Sequence, residues 1–343
     1  MKKLFRAVLF VLIASLLFVS IDRILARKTI SGWWNMTTKI HGFFNSEPDK
    51  YDVIFCGSSH AYCSFNPLVI GEETGLSSYT IATQKQPLWA TYYYIKEAIK
   101  RQNPSLIVLD CFAFSLTDEY ADDATNYTFT DDFPLGLNKL RMINESAPRE
   151  KRFDLLFRFT KYHSRWSELT SEDFNYKPSE LSDYLYGYCM LTDTKTDLVR
   201  RTDTNYVITP SSDKNELWFK KIIELCKEEN VELMIVKTPL NENDGERGYF
   251  ERANGIADAN GIEFVRFNDY FDEIGLDIKS DFFDRAHLNH KGADKFSRYF
   301  AKKYLSDITP KRELDEEFYT SLRRYKREFN GDNKIFYYSP QFN

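Results

Sequence analysis

Two short segments hold residues whose types and spacing could do nucleophilic chemistry. The first is YDVIFCGSSHAYCSFNP at residues 51–67, where four apolar residues run into Gly57, Ser58, Ser59 and His60. A serine just past the end of a parallel strand stands in the crevice where such sheets bind ligands, and backbone N–H groups there can face an oxyanion. Glycine before it permits a sharp exit from the strand. Alone, the segment is as readily a polar turn, because Gly-Ser-Ser turns are common, and it does not choose between the two serines. The second is DFFDRAHLNHKGADKFSRYF at residues 281–300. Asp284 and His287 stand three apart, a spacing that lets a carboxylate hold one ring nitrogen of an imidazole while the other faces a hydroxyl. An isolated Asp-x-x-His would be only a turn acid and a polar loop residue. Placed at opposite ends of one domain, the two segments supply a nucleophile, a base and an acid that orients the base.

The elements between them suit that placement. From Tyr51 onward, short apolar runs alternate with helical periods, the signature of βαβ units and a parallel sheet. Five strands are expected at 52–56, 77–82, 105–112, 232–238 and 262–267, with continuous runs such as Leu106 to Leu109 suited to burial on both faces. Helices are expected at Pro67–Thr74 closed by Gly75, Leu88–Arg101, Asp213–Glu229, Arg247–Asn260 closed by Gly261, and Lys291–Leu305. Asn66 before Pro67 is a helix cap with proline at the first turn, and Asn289 caps the last of these helices, whose apolar stripe is Ala293, Phe296, Phe300 and Tyr304. Residues 113–213 break the alternation and are too long for a loop, so they read as a helical cap inserted over the carboxyl edge of the sheet. The α/β domain then spans 51–309, and the charged tail 310–343 contains one amphipathic helix.

The amino terminus has another character. Lys2, Lys3 and Arg6 precede an unbroken apolar run at 7–21, followed by Asp22, Arg23, Arg27 and Lys28, with no small-x-small cleavage site close behind. Leu4 to Leu25 reaches across a hydrocarbon core of roughly 30 Å if Arg6 and Arg23 snorkel. Residues 1–28 therefore read as an uncleaved signal-anchor and 29–50 as a polar linker. Basic residues are nearly balanced across the run, so charge does not orient it.

Taken together in the order Ser, Asp, His, the two segments resemble the SGNH/GDSL hydrolase family. That family carries its nucleophile in a Gly-Asp-Ser motif after the first strand and an Asp-x-x-His before the last helix. Gly57-Ser58-Ser59 stands where Gly-Asp-Ser stands, so the resemblance makes Ser59 the nucleophile, Asp284 the acid and His287 the base. The HLNHKG continuation, with Gly292 in register, matches the family's His-Leu-x-x-x-Gly pattern. The resemblance covers roughly 51–112 and 214–305, and implies a three-layer, flavodoxin-like parallel five-strand sheet with helices on both faces. The family's oxyanion glycine and asparagine have no counterpart in TIATQKQPLWATYY or LDCFAF; the Ser59 N–H with Gln84 or Gln86 are the substitutes on offer. Within the superfamily the chain looks most like membrane-anchored, Gly-Ser-Ser variants of Gram-positive bacteria, the branch that includes the D-alanyl transfer protein of teichoic acids. KYHSRW at 161–166 also resembles a segment of that branch. The likeness implies a single-pass, extracytoplasmic enzyme that moves acyl groups on a cell-surface polymer beside a membrane-bound O-acyltransferase, with no cofactor.

Other readings are narrower. A formal net charge of −5 gives no electrostatic footprint for nucleic acid. The five cysteines stand singly, which offers neither a zinc cluster nor a disulfide framework. His287 and His290 with Asp284 make a poor metal set, since His290 falls at a helix start and no further ligand is near. His60 adjoins the serine and suits a structural or oxyanion-side place better than that of the base. His163, Arg165 and Trp166 could read an anionic or sugar substrate in the cap, or could pack the cap onto the core as an aromatic and cationic seam. The residues also admit an inactive SGNH-like scaffold or polymer-binding module.

Overall fold

The computed structural model describes residues 1–28, 35–201 and 205–331. Its centre is a five-strand, wholly parallel sheet in the order β2-β1-β3-β4-β5. The strands are β1 (Val53–Gly57), β2 (Ser78–Ala82), β3 (Leu106–Asp110), β4 (Glu232–Lys237) and β5 (Phe264–Arg266). Every residue of β1 to β3 is buried, which suits the apolar runs Val53–Cys56 and Leu106–Leu109, while β2 buries Ser78 and Thr80 among its apolar residues. Phe55 turns toward Phe65 and Phe300, with ring centroids 4.3 and 6.0 Å away, while its neighbour Cys56 faces Cys226 on the other side. The chain leaves β1 to one side for β2 and returns across it to β3, so the order reverses between β1 and β3. The carboxyl ends of those two strands flank the crevice where such sheets take ligands.

Helices cover both faces. In chain order they begin with α1 (Lys2–Leu25), α2 (Met36–Asn45), α3 (Ser59–Ser64), α4 (Pro67–Thr74) and α5 (Leu88–Gln102). The inserted segment contains α6 (Asp123–Thr130), α7 (Leu137–Ser146), α8 (Arg152–Leu156), α9 (Arg158–Tyr162) and α10 (Ser171–Asn175). Then follow α11 (Asp213–Glu228), α12 (Asp244–Asp258), α13 (Phe271–Ile274), α14 (His290–Phe300) and α15 (Glu316–Phe329). The α14 ladder widens into a π turn over Ala301–Leu305. Phe296 and Phe300 drive this last helix against Phe65 and Phe267, with centroids 4.9 to 5.7 Å apart. The tail helix α15 folds back on α4, burying Phe318, Leu322 and Tyr325.

Three expectations need correction. The segment read as a polar linker holds α2, because Met36, Ile40 and Phe43, spaced for one helical face, are buried. The inserted segment is not all cap: Leu185 to Leu191 join the main core, and the Tyr186 carbonyl accepts from the Thr80 N–H at 2.9 Å. That bond covers the outer edge of β2, which the sheet would otherwise expose. Finally, α12 starts three residues early, because Asn243 and Glu246 form a capping box.

Candidate active site

Ser59 owes its place to the turn that ends β1. Gly57 has a φ of 147°, a conformation that favours glycine, and a Cβ there would lie 3.1 Å from the Asp110 Cβ and carbonyl oxygen. The turn makes Ser58 the residue before α3 and Ser59 its first helical residue, at the β1/β3 crevice. Ser58 is buried. Ser59 is half-buried, and its Oγ is 2.8 Å from Nε2 of His287.

The histidine sits in a short, closed loop. Phe282 bridges Leu288, and the Phe283 N–H donates to the His287 carbonyl at 2.9 Å. Inside this loop Asp284 Oδ1 accepts from the Ala286 and His287 N–H groups at 2.7 and 2.8 Å. Both carboxylate oxygens lie 3.0 Å from His287 Nδ1. With Nδ1–H donated to Asp284, Nε2 is the acceptor that faces the Ser59 hydroxyl. Asn289 closes the loop by accepting from the Lys291 and Gly292 N–H groups while donating to the Ser280 carbonyl and Thr194 Oγ1. A Cβ on Gly292 would meet the Asp281 carbonyl oxygen at 2.2 Å, so the helix approaches this loop only because that residue is glycine. Burial pushes the Asp284 carboxyl up, but the ring and backbone N–H donors outweigh it and hold the group below its ordinary value.

The surroundings keep other charges off the ring. Arg285 turns away into a two-pronged pair with Glu246, at 2.7 and 2.8 Å. His60 is buried, stacks on Phe112 with centroids 3.6 Å apart, and lies 5.0 Å from the His287 ring. Burial, followed by the nearby basic groups of Lys237, His287 and Arg285, pushes His60 well below its ordinary value. Asp110, at the end of β3, accepts from the Phe112 N–H and from the N–H and hydroxyl of Thr238, tying the β3 and β4 exits together. The Arg285–Glu246 pair and the His60–Phe112 stack escaped the sequence reading. Only the first had a local signal, the Asn243-x-x-Glu246 capping pattern.

The remaining candidates lie elsewhere. Gln86 is wholly buried, accepting from Thr83 Oγ1 and donating to Thr91 Oγ1, both at 3.0 Å, so its amide is committed to the turn after β2. Gln84 lines a cavity of about 500 Å³ between α2, α6 and α9, with Arg27, Tyr127, Asp131 and Lys161 on its walls. Arg165 is a clamp: Nη1 donates to the Leu25 and Ala26 carbonyls at 2.8 and 2.7 Å, and Nη2 meets Asp173 at 3.3 Å. The last carbonyls of α1 have no helical partners, and the guanidinium satisfies them. His163 is exposed, with Nδ1 2.8 Å from the Thr160 carbonyl. His290 is buried beside Phe329, and its Nδ1 lies 3.2 Å from the Leu191 carbonyl. Among the described residues no three His, Cys, Asp or Glu side chains gather closely enough to hold a metal ion.

No protein-family model matches this chain, and no curated protein does. Solved structures with a similar course include a GDSL-like lipase from Bacteroides thetaiotaomicron, at 11% identity and a TM-score of 0.37 over 81% of this chain and 100% of that one. The acetyl xylan esterase AlAXEase is similar at 13% identity and a TM-score of 0.37, over 75% and 99% of the two chains. A mutant of Axe2, an acetyl-xylooligosaccharide esterase from Geobacillus stearothermophilus, is similar at 13% identity and a TM-score of 0.37, over 78% and 99% of the two chains.

Proposed function

We propose that this chain is a serine acyl-ester hydrolase or O-acyltransferase of the SGNH/GDSL type. The observation that carries the reading is the relay of Ser59 Oγ, His287 and Asp284, with contacts of 2.8 and 3.0 Å built from segments 228 and 3 residues apart. In the first step His287 Nε2 takes the Ser59 hydroxyl proton as Oγ attacks an ester carbonyl. The tetrahedral intermediate collapses, the proton passes to the leaving alcohol, and acyl-Ser59 remains. A sugar or polyol hydroxyl, or water, then gives its proton to His287 as it attacks the acyl-serine carbonyl, and the acyl–Oγ bond breaks as His287 returns that proton to Ser59 Oγ. Asp284 stays ionised throughout and stabilises the imidazolium. The Ser59 N–H is the proposed oxyanion donor.

Topology supplies the rest of the proposal. The helix α1 is long and apolar enough to cross a membrane. As an uncleaved anchor it would hold the catalytic body outside the cell, acting on acyl groups of a polysaccharide or teichoic-acid-like polymer beside a membrane-bound O-acyltransferase. A second reading, an inactive scaffold, is favoured by one observation: Gln86, a proposed oxyanion donor, is tied up inside the fold. Fluorophosphonate labelling separates the two readings. The enzyme reading expects labelling that persists in Ser58→Ala and disappears in Ser59→Ala. A well-folded wild-type chain that takes no label would establish the scaffold reading instead.

A further inference from the structure

The inserted segment grips α1 at its carboxyl end and also lower down. Asp22 accepts from the Phe159 N–H at 2.6 Å and pairs with Arg158 at 3.2 Å, while Lys28 reaches the Ile24 carbonyl and Asp173. One turn deeper, Phe18 packs edge-on against Phe157 and Phe159, with centroids 5.2 and 5.9 Å away. Phe18 belongs to the apolar run, three residues or ~4.5 Å inside its last member, Ile21, at 1.5 Å rise per residue. If that run lies in hydrocarbon, rings touching Phe18 lie at the hydrocarbon edge. They are part of the inserted segment, not of the span. The same layer presents large apolar groups to its surroundings. Phe153, whose ring packs on Phe157, is 58% exposed, Trp166 beside the Arg165 clamp is 73% exposed, and Phe174 beside Asp173 is 60% exposed. Tryptophan so placed suits the headgroup level of a membrane interface, and phenylalanine suits the headgroup–acyl boundary that an interfacial helix enters.

We propose that α8 to α10 form a second membrane contact, docked in the interfacial zone of the bilayer that α1 crosses, with Phe153, Trp166 and Phe174 among the lipid headgroups. The proposal rests on the reading of α1 as a span. Its occupant is lipid because the face is continuous with the buried end of that span. A span plus a flanking aromatic face stops the body from turning about the α1 axis, so the Ser59 crevice keeps one orientation to the membrane.

The test uses the full chain in nanodiscs of phosphatidylcholine and phosphatidylglycerol. All five native cysteines are buried, so a nitroxide attached at one introduced cysteine is resolved from them. The positions are Phe153→Cys, Trp166→Cys and Phe174→Cys, with Val11→Cys in α1 as the deep reference and Tyr319→Cys in α15 as the aqueous one. Accessibility to oxygen relative to a nickel chelate should be severalfold higher at the three cap positions than at 319, though below that at 11. If position 11 is deep while the cap positions match 319, the docking is wrong and the anchor stands. If position 11 is itself aqueous, both fall. Labels shielded from both reagents at the cap would mean that protein, such as a second copy of this chain, covers the face, which also overturns the proposal.

Discussion

Replacing Asp284 by asparagine should cost this site ~10²–10³ in acylation rate while leaving the loop intact. The amide oxygen can still accept the Ala286 and His287 N–H groups that Oδ1 now accepts at 2.7 and 2.8 Å. What changes is the side facing the ring, where an N–H₂ group would replace one of two oxygens 3.0 Å from Nδ1. A donor there favours the tautomer with its proton on Nε2, the atom that must accept from Ser59. Two unit charges ~4 Å apart at an effective dielectric of about 20 interact by ~4 kcal/mol. The Asp284 side chain is 40% exposed, so solvent screening reduces this to ~2 kcal/mol. Restoring the productive tautomer breaks a hydrogen bond and adds ~1–2 kcal/mol. The sum, ~3–4 kcal/mol, is two to three powers of ten at ~1.4 kcal/mol each. It falls short of the ~10⁴ lost when a buried triad aspartate of a serine protease is so replaced. The assay is the second-order rate constant for fluorophosphonate labelling, with the melting midpoint as the control for folding. A variant that melts like the wild type and labels within tenfold of its rate would refute the orienting role.

Two further perturbations have signs set by the structure. Removing the Glu246 charge with Glu246→Gln leaves the Arg285 guanidinium unpaired beside Asp284, which works against imidazolium on His287. Turnover should fall about threefold at low salt, with KM unchanged, and recover as salt screens the exposed charge; equal rates at both salts would remove Glu246 from the site. Lys139, buried in α7 with its Nζ on the Asp131 and Phe133 carbonyls at 3.1 Å, is lowered by burial from 10.5 to about 8. Since the unfolded chain keeps that proton to higher pH, stability should rise between about 8 and 10.5, by up to ~3 kcal/mol. Lys139→Met should lack this rise in paired denaturant titrations, and a wild-type-minus-variant difference that stays flat across the window would count against the buried cation.

How much of this was legible in the sequence depended on the range of the forces involved. The α4 helix coincides with its expected span because its signals, Asn66, Pro67 and Gly75, are all local. Strands β1, β3 and β4 lie where the apolar runs are, since burial on both faces favours apolar residues along most of their length. By contrast β5 keeps only Phe264–Arg266, because its ends are not covered by a second partner. The Asp284–His287 pair is readable because both residues share one loop, and the partnership with Ser59 follows from where parallel strands end. Gln86 and Arg165 had no such local mark. One is tied into its own turn by Thr83 and Thr91, three and five residues away, a pairing that the residue types do not announce; the other is drawn inward by carbonyls 139 and 140 residues away, which only the folded chain brings to it.

The charges around His287 suit an imidazole that, in the proposed mechanism, gains a proton during reaction. Four basic side chains stand on the segments that meet here: His60, His287 itself, Arg285 and Lys237. Arg285 is neutralised by Glu246 through two short hydrogen bonds. Lys237 lies behind Phe112, with its Nζ 5.6 Å from that ring's centre and bonded to the Thr238 carbonyl. His60, nearest at 5.0 Å, is held neutral because burial depresses it well below its ordinary value. A charged His60 would oppose the imidazolium from 5.0 Å away and inside the fold, where repulsion is poorly screened. Among the described residues, Asp284 is the charged side chain that the ring contacts, and its charge has the sign that favours protonation. Burying His60 against Phe112 therefore lets the fold set a second imidazole beside the proposed base without weakening it.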